Sequence, residues 1–177
     1  MQFDPDLLPG VRHIRLRKLG DMRGSFVKTY ARSVFDQNEV AFDLREEFYS
    51  FSRKDVIRGM HFQLPPHDHV KLVYCPAGAV LDVLVDLRSG AGQGKVASVL
   101  LSGEEPSLLV IPRGVAHGFK SLSDDSLMVY KTSTEHAPSH DAGICWDSFG
   151  FDWGVDHPVI SARDSTHPSL ADFTSPF

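Results

Sequence analysis

His61, in the run Arg58-Gly59-Met60-His61-Phe62-Gln63, and Asp164, in Ser161-Ala162-Arg163-Asp164, are residue types from which a general base can be built. A histidine whose ring is oriented by a buried carboxylate is poised to accept a proton near neutral pH. Between them in the chain stands Lys71, a cationic anchor. Further on comes Ile111-Pro112-Arg113-Gly114-Val115-Ala116-His117-Gly118-Phe119. Proline and glycine there make a tight turn between two strands, which aims His117 inward.

A second set of groups suits a divalent metal. His67-Asp68-His69 together with His117 offers three imidazoles. The carboxylate such a site would draw on downstream is missing, because Val70-Lys71-Leu72-Val73-Tyr74 follows. A protonated lysine adds positive charge and cannot ligate. The preferred reading therefore has no metal and no cofactor, and a metal-dependent enzyme using His67, His69 and His117 is the alternative. Gly90-Ala91-Gly92-Gln93-Gly94-Lys95 imitates a phosphate loop, but its spacing is wrong and Val96 stands where Ser or Thr is required. It reads as a hairpin.

The elements that must position these groups are strands. Ala79 to Leu87 alternates, with Leu81, Val83, Val85 and Leu87 on one drier face and Asp82 and Asp86 on the other. His69–Cys75, Lys95–Leu101, Ser107–Ile111 and Ser126–Lys131 are further strand candidates, separated by turn-forming pieces such as Pro76-Ala77-Gly78 and Ser123-Asp124-Asp125. Many short strands at such spacing predict an all-β sandwich or barrel. Helix is scarce: Arg32 to Val40, with Ser33 as cap, and a second short helix over Pro168 to Phe173.

At 177 residues the chain reads as one domain, residues 1–177, with N- and C-terminal arms. Its formal charge of −5 argues against nucleic acid as a partner. Acids stand at the start where a leader needs basic residues, and no run is long enough to span a membrane. Cys75 and Cys145 form neither a metal pair nor a disulfide framework. A cytoplasmic location is expected.

Pro112-x-Gly114-x-x-His117 matches the second half of the cupin signature. Set in order with Gly20-Asp21-x-Arg23-Gly24-x-Phe26, Val56 through Gln63, Lys71-Leu72-Val73, Gly78 through Arg88, Tyr130-Lys131-Thr132, Gly143-Ile144-x-Trp146 and Ile160 through Asp164, the chain resembles the dTDP-4-dehydrorhamnose 3,5-epimerase family from about Gly20 to Leu170. The resemblance implies a cupin-like antiparallel β-barrel (jelly roll) with short peripheral helices. It also implies a homodimer acting on a nucleotide-linked 4-keto-6-deoxy sugar in deoxysugar and polysaccharide (lipopolysaccharide) biosynthesis. The reaction implied is epimerisation at C3, C5 or both. His61 would be the base, Asp164 its orienter and Lys71 the enolate stabiliser. Arg23 and Arg58 would hold the diphosphate, while Phe26, Gln63, His117, His136, Glu46 and Phe48 would line the ligand. A keto-sugar isomerase of the same fold, and a non-catalytic sugar-nucleotide binding module, stand as other readings.

Two departures from the family pattern sharpen the expectations. The family's acid is a tyrosine in a Tyr-Lys-x-x-x-Tyr segment, and here Tyr130-Lys131-Thr132-Ser133-Thr134-Glu135-His136 places Glu135 at the second tyrosine. Glu135, His136, Tyr130 and Tyr74 are all candidates for the acid. Where the family carries Gln-x-Asn near the nucleotide, this chain has Glu46-Glu47-Phe48. Carboxylates only accept hydrogen bonds. The pair either meets the amino-bearing base of a CDP- or GDP-sugar or lies in solvent.

Overall fold

Strand-forming segments dominate the chain, and in the computed structural model, which describes residues 1–177, they yield thirteen strands and one short helix. In chain order these are β1 (Gln2–Phe3), β2 (Arg12–Arg15), β3 (Lys18–Asp21), β4 (Gly24–Val27), α1 (Arg32–Gln37), β5 (Glu46–Ser52) and β6 (Ile57–Gln63). They continue with β7 (Lys71–Ala77), β8 (Ala79–Asp86), β9 (Val96–Ser102), β10 (Ser107–Ile111), β11 (Val115–Ser121), β12 (Ser126–Thr132) and β13 (Asp141–Gly143). One sheet has the order β1-β2-β10-β7-β12-β5 and the other β13-β6-β11-β8-β9, both antiparallel, while β3 and β4 form a separate hairpin. This is the expected all-β jelly-roll barrel.

Three apolar clusters explain why the strand faces are so uniformly dry. The barrel interior is filled by Val73 and Cys75 of β7, Val80 and Leu84 of β8, Phe119 of β11 and Met128 of β12. Outside the five-stranded sheet, Met60, Val83, Val85 and Leu87 are covered by Trp153, Phe173 and Phe177 of the C-terminal segment. Outside the six-stranded sheet, Ile14, Leu72 and Leu108 are covered by Phe35 of α1 and by Phe42. Strands buried on both faces lose their alternation. For this reason β11, Val-Ala-His-Gly-Phe-Lys-Ser, gives no periodic signal although every residue in it is buried.

The structure corrects several expectations. In β8 the aspartates are not on a wet face: Asp82 and Asp86 are buried, at 0% and 2% exposure, while Leu81 is only half-buried. Asp82 shares the inward side with Val80 and Leu84 and meets His117 there, and the leucines and valines opposite are the ones the C-terminal segment covers. The helix expected over Arg32 to Val40 is also shorter than expected. α1 stops at Gln37, its N-cap is Ala31 without a side-chain bond, and the chain leaves it through Glu39 at φ 56°. Pro168–Phe173 is not helical. The helical turn lies just before it, at Asp164–Thr166, and Pro168 has no N–H with which to prolong it. The strand predicted to begin at His69 begins at Lys71, leaving His67 to His69 in the loop that enters it.

Candidate active site

Inward-facing side chains of β5, β6, β7, β11 and β12 surround a cavity of about 410 Å³, within the range of ligand-sized sites. β6 contributes through an irregularity. In its pairing with β11, Arg58 lies opposite Phe119 but His61 opposite His117, so three steps on one strand match two on the other. Arg58 and His61 therefore both line the cavity, which strict alternation forbids for residues three apart. The strands meet closely at this point, since a Cβ on Gly59 would come within 2.6 Å of the Gly118 Cα and Gly59 itself sits at φ 137°. Gly114, at φ 75°, makes the turn that the Pro112-x-Gly114 pattern predicts.

His61 is the residue that strand and C-terminal segment jointly place. Its Nε2 lies 2.8 Å from Oδ1 of Asp164, whose other oxygen accepts the Gly59 N–H at 3.1 Å. Burial of Asp164 pushes its carboxyl upward, but the His61 and Gly59 hydrogen bonds and the His61 charge win and hold it at about 2. A carboxylate that stays ionised takes the Nε2 proton as a hydrogen bond, which leaves the Nδ1 lone pair of His61 free.

Lys71 begins β7 and gives its ammonium to the carbonyl oxygen of His61 at 3.0 Å. Burial lowers its pKa to about 8, with Asp141 and Asp82 partly restoring it. Next to it His117 and Asp82 form a second pair at 2.8 Å, both fully enclosed, and burial pushes the Asp82 carboxyl up against the pull of His117 and Lys71. Asp82 was legible only as a wet-face residue, and its partner could be found only once β8 and β11 were paired.

Across the cavity Tyr130 is buried at 9% exposure, bonded through its hydroxyl to Ser50 Oγ at 3.3 Å and stacked on Phe48 with ring centroids 4.8 Å apart. Burial raises its pKa well above the usual phenol value, so the proton is held. The other candidates for an acid are placed elsewhere. Glu135 is exposed and outside the lining, with only its main-chain carbonyl engaged, by Gln63. Tyr74 packs on the outer face of the six-stranded sheet. His136 does line the cavity, at an exposed position.

The expected ligand contacts divide. Arg58 lines the cavity, steadied by Ser52 Oγ and the Phe51 carbonyl, each at 3.0 Å. Glu46 and Phe48 line it too, although the Glu46 carboxylate already accepts the His136 N–H at 2.8 Å. Gln63 is present but spent, its amide nitrogen on the His67 carbonyl at 2.9 Å and its oxygen on the Ala137 N–H at 2.7 Å. Arg23 and Phe26 are on the β3–β4 hairpin and do not reach this cavity. Arg163 does, paired with Asp141 at 2.7 Å; it sat unread beside Asp164 in the sequence.

His67, His69 and His117 do not converge as metal ligands. His67 packs at a tilt against His140, His69 turns Nδ1 toward Gln63, and His117 is held by Asp82. The single trio of metal-competent donors in mutual reach is His61, Asp164 and His167. His69 is kept neutral, its pKa lowered to about 3 by burial and by the neighbouring Lys71 charge.

Residues 6–172 match the family described as dTDP-4-dehydrorhamnose 3,5-epimerase. A dTDP-4-dehydrorhamnose 3,5-epimerase of Sinorhizobium fredii is 37% identical over 182 residues, spanning 100% of this chain and 93% of its own. The fold is similar to that of an RmlC from Legionella pneumophila crystallised with dTDP-4-keto-L-rhamnose, with a TM-score of 0.92 at 28% identity over 98% and 94% of the two chains. It is also similar to ChmJ, a 3'-monoepimerase of Streptomyces bikiniensis in complex with dTDP-quinovose, with a TM-score of 0.86 at 28% identity over 92% and 84%.

Proposed function

The chain belongs to the dTDP-4-dehydrorhamnose 3,5-epimerase family, and from that premise we propose that it inverts one or both carbons flanking the ketone of a dTDP-linked 4-keto-6-deoxy sugar, with His61 as base and Tyr130 as acid. It is an isomerase of deoxysugar biosynthesis. The observation that carries the residue roles is the common cavity of a carboxylate-oriented imidazole, a half-buried cation and a protonated phenol.

A ketone at C4 acidifies the C–H bonds at C3 and C5. His61 takes such a proton on Nδ1, and Asp164 stabilises the imidazolium that results. Negative charge moves to the C4 oxygen, where the Lys71 ammonium meets it. Tyr130 then delivers a proton to the opposite face of the carbon, and the centre is inverted. Arg58 and Arg163 supply positive charge for the diphosphate. The acid pair does not argue for a CDP- or GDP-sugar, because Glu46 is occupied by His136 and Glu47 faces Lys131 at 3.6 Å outside the barrel.

A homodimer accounts for the stray contacts. Arg23 is held by Asp21 on the β3–β4 hairpin with its side chain 85% exposed, and it can serve a phosphate only in another copy's cavity. The hairpin and the open edge of β5 expose Leu19, Met22, Phe26, Tyr49 and Phe51, an apolar surface that a second chain would cover. No helix is long and apolar enough to cross a membrane. Two free thiols suit the reducing cytoplasm we assign.

Two measurements test the reading. In D₂O with dTDP-4-keto-6-deoxyglucose, the C3 and C5 proton signals are expected to vanish as deuterium enters: loss at both marks a 3,5-epimerase, loss at one a mono-epimerase, and loss at neither overturns the proposal. The second is a pH profile. Lys71 carries its charge below about 8 and loses it above, so kcat should fall on the alkaline side with an apparent pKa near 8. Lys71→Met should lower the plateau and abolish that limb; a limb unchanged in the variant would remove Lys71 from the enolate step.

A further inference from the structure

His167 is a buried histidine that the reaction does not use. It follows the helical turn that carries Asp164, and its side chain is 13% exposed. Its Nε2 has no hydrogen-bond partner, and the nearest carboxylate oxygen, Oδ1 of Asp164, is 4.0 Å away, too far for a hydrogen bond. The ring is seated against Gly143, where a Cβ would come within 2.5 Å of that nitrogen. An unsatisfied ring nitrogen in an enclosed place is costly and calls for an explanation.

The same Asp164 oxygen is 2.8 Å from Nε2 of His61, and the donor atoms of all three residues lie within 4.8 Å of one another. A tetrahedral zinc ion with bonds of about 2.1 Å holds its ligands about 3.4 Å apart, and the two distances to the carboxylate, 2.8 and 4.0 Å, bracket that separation. Two imidazoles and a carboxylate are the donor set of a zinc-class ion with one position left for water. Neither Asp164 nor His167 lines the substrate cavity, so the trio converges behind His61.

We propose that His61, Asp164 and His167 form a binding site for a divalent zinc-class cation, and that its occupancy switches the catalytic base off. The switch is a matter of tautomers, and this part rests on His61 being the base. A neutral imidazole has one N–H. When the cation takes the Nε2 lone pair, the ring proton moves to Nδ1, and the nitrogen that faces the substrate can no longer accept one. No net proton is lost from the ring. Substrate still enters, because the ion is outside the cavity. The cation therefore lowers kcat and leaves KM unchanged.

The test uses chelator-treated protein titrated with zinc chloride by calorimetry, alongside steady-state kinetics. One zinc per chain is expected, with kcat lost, KM unchanged and activity restored by EDTA. His167→Gln keeps the size of the side chain but not its ligand strength. It should weaken zinc binding about tenfold or more, while its metal-free turnover stays within about twofold of the parent. Cobalt(II) bound to the unmodified chain gives a readout that needs no variant: intense visible bands of tetrahedral coordination are expected. Absence of zinc binding, binding equally tight in His167→Gln, or inhibition through KM alone would overturn the site. Should zinc bind in a His167-dependent way while His61→Ala turns over normally, the cation site stands and the assignment of the base falls.

Discussion

Asp164→Asn should lower kcat by about 10³–10⁴-fold with KM and thermal stability little changed. The reason lies in the two hydrogen bonds its carboxylate accepts, one from the Gly59 amide and one from His61 Nε2. Asparagine has one accepting oxygen and one donating nitrogen. The Gly59 amide can only donate, so it claims the oxygen, and the new NH₂ group faces His61. The ring can adapt by moving its proton to Nδ1, and that adaptation removes the lone pair which takes the substrate proton. The fold keeps its contacts while the base is lost. His61→Ala should reach a similar rate by deleting the base outright. Activity of Asp164→Asn within tenfold of the parent would sink the orienting role.

Tyr130→Phe is expected to stop inversion without stopping exchange. With the phenol gone, His61 still removes a proton, trades it for solvent deuterium and returns it to the face it came from. Substrate recovered from D₂O should carry deuterium with unchanged configuration, and product formation should fall about 10²–10⁴-fold. Phe48 remains to stack on the new ring, and Ser50 faces the cavity, where water can replace the lost hydroxyl. Glu135→Gln is the matched control, with turnover expected within about twofold of the parent because that side chain lies outside the cavity. The reverse pattern, with Glu135 indispensable and Tyr130 dispensable, would mean that the loop carrying Glu135 closes over the substrate.

The chain sequence by itself determined the strand-rich class and the tight turn at Gly114, and its resemblance to the family singled out His61, Asp164 and Lys71 as candidates for base, orienter and cation. The class and the turn are carried by local features, alternation and a turn pair; the three candidates are carried by several motifs in family order, because a histidine and an acid serve proton transfer and metal ligation alike. It also left the acid open among several residues, since Tyr130 and Tyr74 are alike as letters. Only pairing β12 with β5 and β7 turned one phenol into the cavity and the other onto the outer face. Asp82 was misread for the same reason. Alternation reports which residues share a face, and it marks that face as wet or dry only where one side meets solvent; here the C-terminal segment covers the other side. The irregular register of β6 put Arg58 and His61 together, and no spacing rule for a strand foretells that. Asp164 and His167 reached His61 from about a hundred residues away, through the packing of the C-terminal segment on β6. Residue type fixes what a side chain can do; the long-range packing of the barrel decides which partners it does it with.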